Sequence, residues 1–234
     1  MTEHISKQYD QDLEAIRSRM MQMGGLVESQ IRMAIDGYVH GDIARIDQVI
    51  ATDAKVNELE IAIDDDLRHI IVRRQPAASD LRLIMAVSKT VTDLERIGDE
   101  AAKIARMAKE IHNAPAKMTR PRLGTMSHVS EISCGMLRKS LDAFARLDAA
   151  AAAKVIGEDE EIDTEFRAIL RQLVTFMMED PRTISTSLHI VWVAKAFERI
   201  GDHAKNIAEQ VIYIVKGRDV RHASLAEVER EAAR

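Results

Sequence analysis

Glu95-Arg96-Ile97-Gly98-Asp99 returns unchanged as Glu198-Arg199-Ile200-Gly201-Asp202. Self-similarity at a long period is the mark of a duplicated structural unit. The same displacement of 103 residues carries Ala101, Ile104 and Ala105 onto Ala204, Ile207 and Ala208. Upstream, a displacement of 106 carries Arg32, Asp36, Asp42, Ala44, Val49, Ile50, Asp53 and Leu67 onto Arg138, Asp142, Asp148, Ala150, Val155, Ile156, Asp159 and Leu173. The offset changes near Gln75-Pro76 and Pro181, where a turn between helices can lose residues. The chain therefore reads as two copies of one unit of roughly 100 residues, a common domain size.

Punctuation is sparse: the 234 residues include only ten Gly and four Pro, so the helices are expected to be long. Apolar residues recur at three and four spacing through Leu13, Ile16, Met20, Met23, Val27, Ile31 and Ile35, which predicts a helix over 6–40. Asp42 is the expected N-cap of a second, 42–74, with Ile46, Val49, Ile50, Val56, Leu59, Ile63, Leu67 and Ile70 on its inner face. A third runs 79–112 through Leu83, Val87, Leu94, Ile97 and Ile104. The segment from Asn113 to Gly124, with Pro115 and Pro121, is the expected linker. The plan then repeats as 125–148, 150–178 and 183–216, with Asp148 in the capping place of Asp42 and Gly217 as the final stop. No stretch alternates with period two. The predicted fold is all-α: two repeated three-helix bundles of six long helices, at 1–114 and 122–217, followed by a polar C-terminal tail, 218–234.

Aromatics are 3% of the chain, as suits Ala-, Met-, Ile- and Leu-rich helices packed on helices. A net charge of −5 gives no global basic field for nucleic acid or an anionic membrane. The one cysteine, Cys134, excludes an intramolecular disulfide and is expected to be an apolar filler in a reducing compartment. The start of the sequence has no leader pattern, and His189–Phe197, the richest apolar stretch, contains Lys195 and is too short to span a bilayer. The expected location is cytoplasmic.

Glu95 and Asp99, four apart on a helix, leave the same face. Spacing alone carries no signal: seven acidic pairs stand at i,i+4, and 38 acidic residues give about six by chance. The signal lies in repetition. Glu198 and Asp202 occupy the equivalent place in the second copy, and Asp53/Asn57 on the preceding helix aligns with Asp159/Asp163. Glycine mid-helix costs about 1 kcal/mol relative to alanine. Its recurrence as Gly98 and Gly201 implies close approach by a helix or a ligand. Two readings stay open. The acids either lie on a solvated face, paired to Arg96, Arg199, Lys103 or Lys205, or they gather around a cation that offsets their mutual repulsion. Oxygen donors suit Mg, Mn, Ca or oxidised iron better than copper. The candidate ligands are Glu95, Asp99, Asp53 and Asn57 in the first copy, and Glu198, Asp202, Asp159 and Asp163 in the second. The expected cofactor is a divalent or trivalent hard ion (Mg, Mn, Fe or Zn). Asn57 is neutral where Asp163 is charged, so the first site is expected to bind more weakly.

Other features point elsewhere. No Glu has His three residues later, so the ferritin-like di-iron signature is missing. Asp66/His69, Asp219/His222 and Asp64-Asp65-Asp66 read as surface residues, Gly24-Gly25 as a local relaxation of the helix, and Trp192 as core or interface. No catalytic nucleophile is visible.

The two Leu/Phe-Glu-Arg-Ile-Gly-Asp copies, Asp80-Leu81-Arg82 before the first and Met177-Met178-Glu179-Asp180-Pro181-Arg182-Thr183-Ile184 before the second, resemble the PhoU family of phosphate-signalling regulators. The resemblance runs from about residue 8 to His222 and is strongest to proteins of Gram-negative bacteria. It implies two three-helix bundles, a homodimer, and metal held through the E(D)-x-x-x-D motifs. It also implies a non-enzymatic negative regulator of the phosphate-starvation response. The expected partners are a membrane sensor histidine kinase and the ATP-binding subunit of the phosphate ABC importer. A carboxylate-bridged metalloenzyme and a purely structural bundle are the competing classes.

Overall fold

The computed structural model describes residues 2–74, 76, 78–113 and 123–234. The helices are α1 (Thr2–His40), α2 (Ile43–Arg74), α3 (Ala78–Asn113), α4 (Leu123–Arg146), α5 (Ala149–Glu179), α6 (Ile184–Lys216) and α7 (Leu225–Ala233), with one 3-10 turn at Pro181–Thr183 before α6. Among the described residues there is no strand. Most of the expected linker, including Pro115 and Pro121, and Gln75 of the first offset turn lie outside the described residues.

The bounds follow the local signals. Asp42 accepts from the backbone N–H of Arg45 at 3.1 Å, and Asp148 accepts from that of Ala151 at 2.9 Å, so α2 and α5 start on equivalent caps. Gly41 and Gly217 end α1 and α6 in the left-handed conformation, with φ of 71° and 69°. Leu147 takes the place of Gly41 in the second copy and is held at φ 52°, where a Cβ is strained.

Within each copy the three helices pack on one another: α1, α2 and α3, then α4, α5 and α6. The bundles join through α3 against α6, the most extensive helix pair, and through α1 against α4. The α3–α6 pair is antiparallel. Lys89 stands 5.9 Å from the Tyr213 ring, Glu100 accepts from Arg199, and Lys103 lies 5.1 Å from the Trp192 ring. Residue numbers rise on one helix as they fall on the other, and the pairs flank the height of Gly98 and Gly201. The expected apolar faces are buried: Met20, Met23, Val27, Ile31, Ile46, Val49, Val56, Ile63, Leu94, Ile97 and Ile104 all have zero exposure. Trp192 is half exposed, so it is not in the core of the chain, and Lys103 of α3 stands 5.1 Å from its ring.

The motif glycines are contact points between helices. A Cβ on Gly98 would stand 3.3 Å from Val56 Cγ1 and 3.4 Å from Gln30 Oε1. A Cβ on Gly201 would stand 2.6 Å from Ile162 Cδ1 and 3.8 Å from Met136 Sδ. Ile162 and Met136 are the repeat equivalents of Val56 and Gln30, so the duplication extends to the packing. Gly24 likewise is no local relaxation: α1 is continuous there, and its absent side chain admits Leu141 of α4, 2.6 Å from an ideal Cβ. The polar tail forms α7, whose Val228 and Ala232 are buried as it packs on α5.

Two stability outcomes follow. Gly201→Ala gains helix propensity of about 1 kcal/mol but overpacks Ile162 at a cost of about 1–3 kcal/mol. It lowers the melting temperature more than Gly98→Ala does, and adding Ile162→Val recovers the loss. Leu147→Gly relieves about 1 kcal/mol of left-handed strain and raises the denaturant midpoint. Circular dichroism melts and urea titration check both.

Candidate carboxylate centres

Because Val56 is pressed against Gly98, its neighbours Asp53 and Asn57 on α2 are carried to the carboxylates of α3. Burial raises the carboxyl pKa of Asp53, and the charge of Asp99 raises it further against the opposing Arg106. Glu95 is raised by burial, then by Asp99, Glu60 and Asp53, against Arg96. The first copy thus brings Asp53, Glu95 and Asp99 within electrostatic reach of one another, with Asn57 one turn beyond Asp53 on α2, and adds Glu60. Glu60 is itself raised by burial, then by Asp64, with Arg96, Thr92 and Asp99 as further neighbours. Asp53 Oδ1 and Asn57 Oδ1 are buried with no hydrogen-bond partner among the described residues. Arg96 lies 3.5 Å from Glu95 while its own side chain is 60% exposed, so it screens the carboxylate without covering it.

The second copy places the same carboxylates differently. Lys195 Nζ donates to Glu198 at 2.5 Å, and Lys205 Nζ donates to Asp159 at 2.6 Å. Arg167 donates to Asp163 at 3.0 Å. Asp202 is raised by burial, then by Glu198 and Asp159, with Lys195 and Lys205 opposing. Asp159, Asp163 and Asp202 line a cavity of about 810 Å³ whose wall includes Arg221 and His222 from the segment before α7. Of the basic groups expected to offset the motif acids, only Lys205 and Arg96 do so. Arg199 and Lys103 converge instead on Glu100, at 2.9 and 3.2 Å. Among the described residues no three His, Cys, Asp or Glu side chains are already arranged to grip an ion.

Sequence reading missed Glu60 because the repeat was its guide, and Phe166 occupies the equivalent place, with Lys195 5.4 Å from its ring. It also missed the seam between copies. Asp93 of α3 accepts from Asn206 at 3.0 Å and meets His203 Nδ1 at 2.9 Å on α6. Deeper on α6, Glu209 is 8% exposed and its carboxyl is pushed up to about 7, chiefly by burial, against the attraction of Lys205. The remaining candidates behave as surface groups. Asp66 pairs with Arg19, Asp219 with Arg221 at 2.6 Å, and His69 and His222 are exposed. Cys134 is buried, and burial pushes its thiol up to about 11, as an apolar filler would have it.

Duplicated three-helix bundles carrying paired E-x-x-x-D motifs on their central helices define a class. The PhoU domain family matches residues 20–108 and 126–211, one segment in each copy. The chain is 47% identical over 234 residues to the phosphate-specific transport system accessory protein PhoU homolog of Pseudomonas aeruginosa, covering 99% of this chain and 95% of that one. It is 44% identical over 230 residues to the phosphate-specific transport system accessory protein PhoU of Escherichia coli K12, covering 98% and 94%. The crystal structure of PhoU from Pseudomonas aeruginosa superposes with a TM-score of 0.86 at 46% identity, over 90% of this chain and all of that one. The regulatory protein PhoU of Streptococcus pneumoniae, 24% identical, shares the fold at a TM-score of 0.83, over 91% of this chain and 99% of that one. The chain belongs to the PhoU family.

The buried Glu209 sets a pH dependence. Its carboxyl lies near 7 when folded against an ordinary 4.5. The unfolded chain therefore ionises first, and the group's contribution to stability, full below pH 4.5, is lost as pH rises through 7. Glu209→Gln flattens the fall in urea midpoint across that window; an unchanged slope assigns the effect to other groups.

Proposed function

We propose that this chain is a cytoplasmic, non-enzymatic regulator that works with a phosphate transport system. The observation that carries the reading is likeness over nearly the full length to the phosphate-specific transport system accessory proteins of Pseudomonas aeruginosa and Escherichia coli. No described helix is long and apolar enough to cross a membrane, so regulation of a membrane importer works through contact with its soluble parts. In this reading the chain is a homodimer that links the ATP-binding subunit of the phosphate ABC importer to a sensor histidine kinase. When phosphate is plentiful it keeps the starvation response off. Long bundle helices suit such a role by offering extended faces to more than one partner.

The reading includes a hard metal ion. The donor set is all oxygen, Asp53 Oδ1 and Asn57 Oδ1 are buried without a partner among the described residues, and burial pushes both Asp53 and Glu95 toward their protonated forms. A cation there supplies charge that offsets carboxylate repulsion and ties α2 to α3. Glu95, Asp99, Asp53 and Asn57 would hold it, with Glu60 alongside. The chain's own part is positional: Gly98 sets the spacing between the helices, and Arg96 and Arg106 limit the net negative charge.

A deletion strain grown in abundant phosphate should express a starvation-response reporter constitutively, and restoring this chain should silence it. A reporter that stays repressed in the deletion strain overturns the negative-regulator role. Capture of the importer's ATP-binding subunit and the kinase on the tagged chain tests the partners separately.

A further inference from the structure

The two copies share the carboxylate frame but differ in what neutralises it. Three cations touch the acids of the second copy: Lys195 on Glu198, Lys205 on Asp159 and Arg167 on Asp163. Shifted by the repeat offsets, these positions are Thr92, Ala102 and Ile61 in the first copy, none of them charged. The first copy moreover gains Glu60, where the second has Phe166. Its remaining cations act from further off: Arg96 is 3.5 Å from Glu95, and Arg106 opposes Asp53 without a bond to it. The unused acceptors follow the same division. Asp53 Oδ1 and Asn57 Oδ1 are both buried and unbonded among the described residues, whereas in the second copy Lys205 donates to Asp159 Oδ2 and the buried, unbonded acid oxygen is Glu198 Oε2.

We infer that Lys195 and Lys205 are built-in counter-ions for the second copy, so that a hard divalent cation is taken up by the first copy alone. The inference rests on the metal-binding reading above and reverses the affinity order that ligand charge by itself predicts. Asn57 removes one negative charge from the first site. Glu60 returns it, and the first site has no ammonium group to displace. For an ion to enter the second copy, two ammonium groups already at 2.5 and 2.6 Å must leave, exchanging a formed charge pair for a new one. An Asn carbonyl is also an accepted hard-ion ligand, so the neutral position costs the first site little geometry.

The test uses the full-length chain, stripped of metal and titrated with Mn²⁺ by calorimetry, with the electron paramagnetic resonance of free Mn²⁺ as a second readout. The expected stoichiometry is one tight ion per chain. Asp53→Asn with Glu95→Gln weakens it by about tenfold or more, and Glu198→Gln with Asp202→Asn does not. Lys195→Thr with Lys205→Ala gains a second ion. In metal-free buffer that lysine variant melts below the parent, because it leaves Glu198, Asp159 and Asp202 facing one another, and Mn²⁺ restores its melting temperature. Two ions of equal affinity in the parent chain, or loss of the tight ion with Glu198→Gln and Asp202→Asn, overturn this inference alone. A parent chain that binds no Mn²⁺ overturns the metal-binding reading with it.

Discussion

The close seating of one helix on another at a glycine is the constraint on which both copies depend. Val56 rests against Gly98, and Ile162 against Gly201. A larger residue at either glycine would push α2 from α3, or α5 from α6, and would separate acids contributed by different helices. The interiors around the glycines are fully buried: Ile97, Ala101, Ile104, Ile200, Ala204 and Ile207 have zero exposure. Helix propensity lost at glycine is thus offset by apolar contact along the whole face. The same approach that makes the core also concentrates charge at its edge.

Concentrated charge must be balanced, and the copies do so by different means. In the second copy the balance is intramolecular, with two lysines and an arginine hydrogen-bonded to the carboxylates and the segment before α7 closing one side of the cavity. In the first copy, burial and like charges push Asp53, Glu60 and Glu95 toward their protonated forms. A duplicated fold gives this freedom because the apolar core, continuous through both bundles, is built from other faces of the helices, so polar residues at the rim can diverge without loss of packing. The seam between copies is polar at the same height. Asp93 meets His203 and Asn206, while Glu100 gathers Arg199 and Lys103. Any change in charge at one centre is therefore close to the α3–α6 pair that joins the bundles.

Much of this molecule is written in local pattern. Helix type and bounds, the caps at Asp42 and Asp148, the stop at Gly217 and the duplication itself follow from periodicity and from residues that act within a turn of where they stand. Helix contact at Gly98 and Gly201 was foreseen as one of two options. The tertiary structure decided in favour of a neighbouring helix, since only the docked position of Val56 and Ile162 shows what fills the space. Partnership of the charges was legible only in part: Lys205 and Arg96 are among the expected partners, whereas Arg199 and Lys103 go to Glu100, and Asp93 lies 110 residues from His203. Glu60 escaped because its copy diverged to Phe166. Local order comes from backbone geometry and apolar spacing, which each segment carries with it. The balance of charge depends on how separate helices are rotated against one another, and only packing of the whole chain sets that rotation.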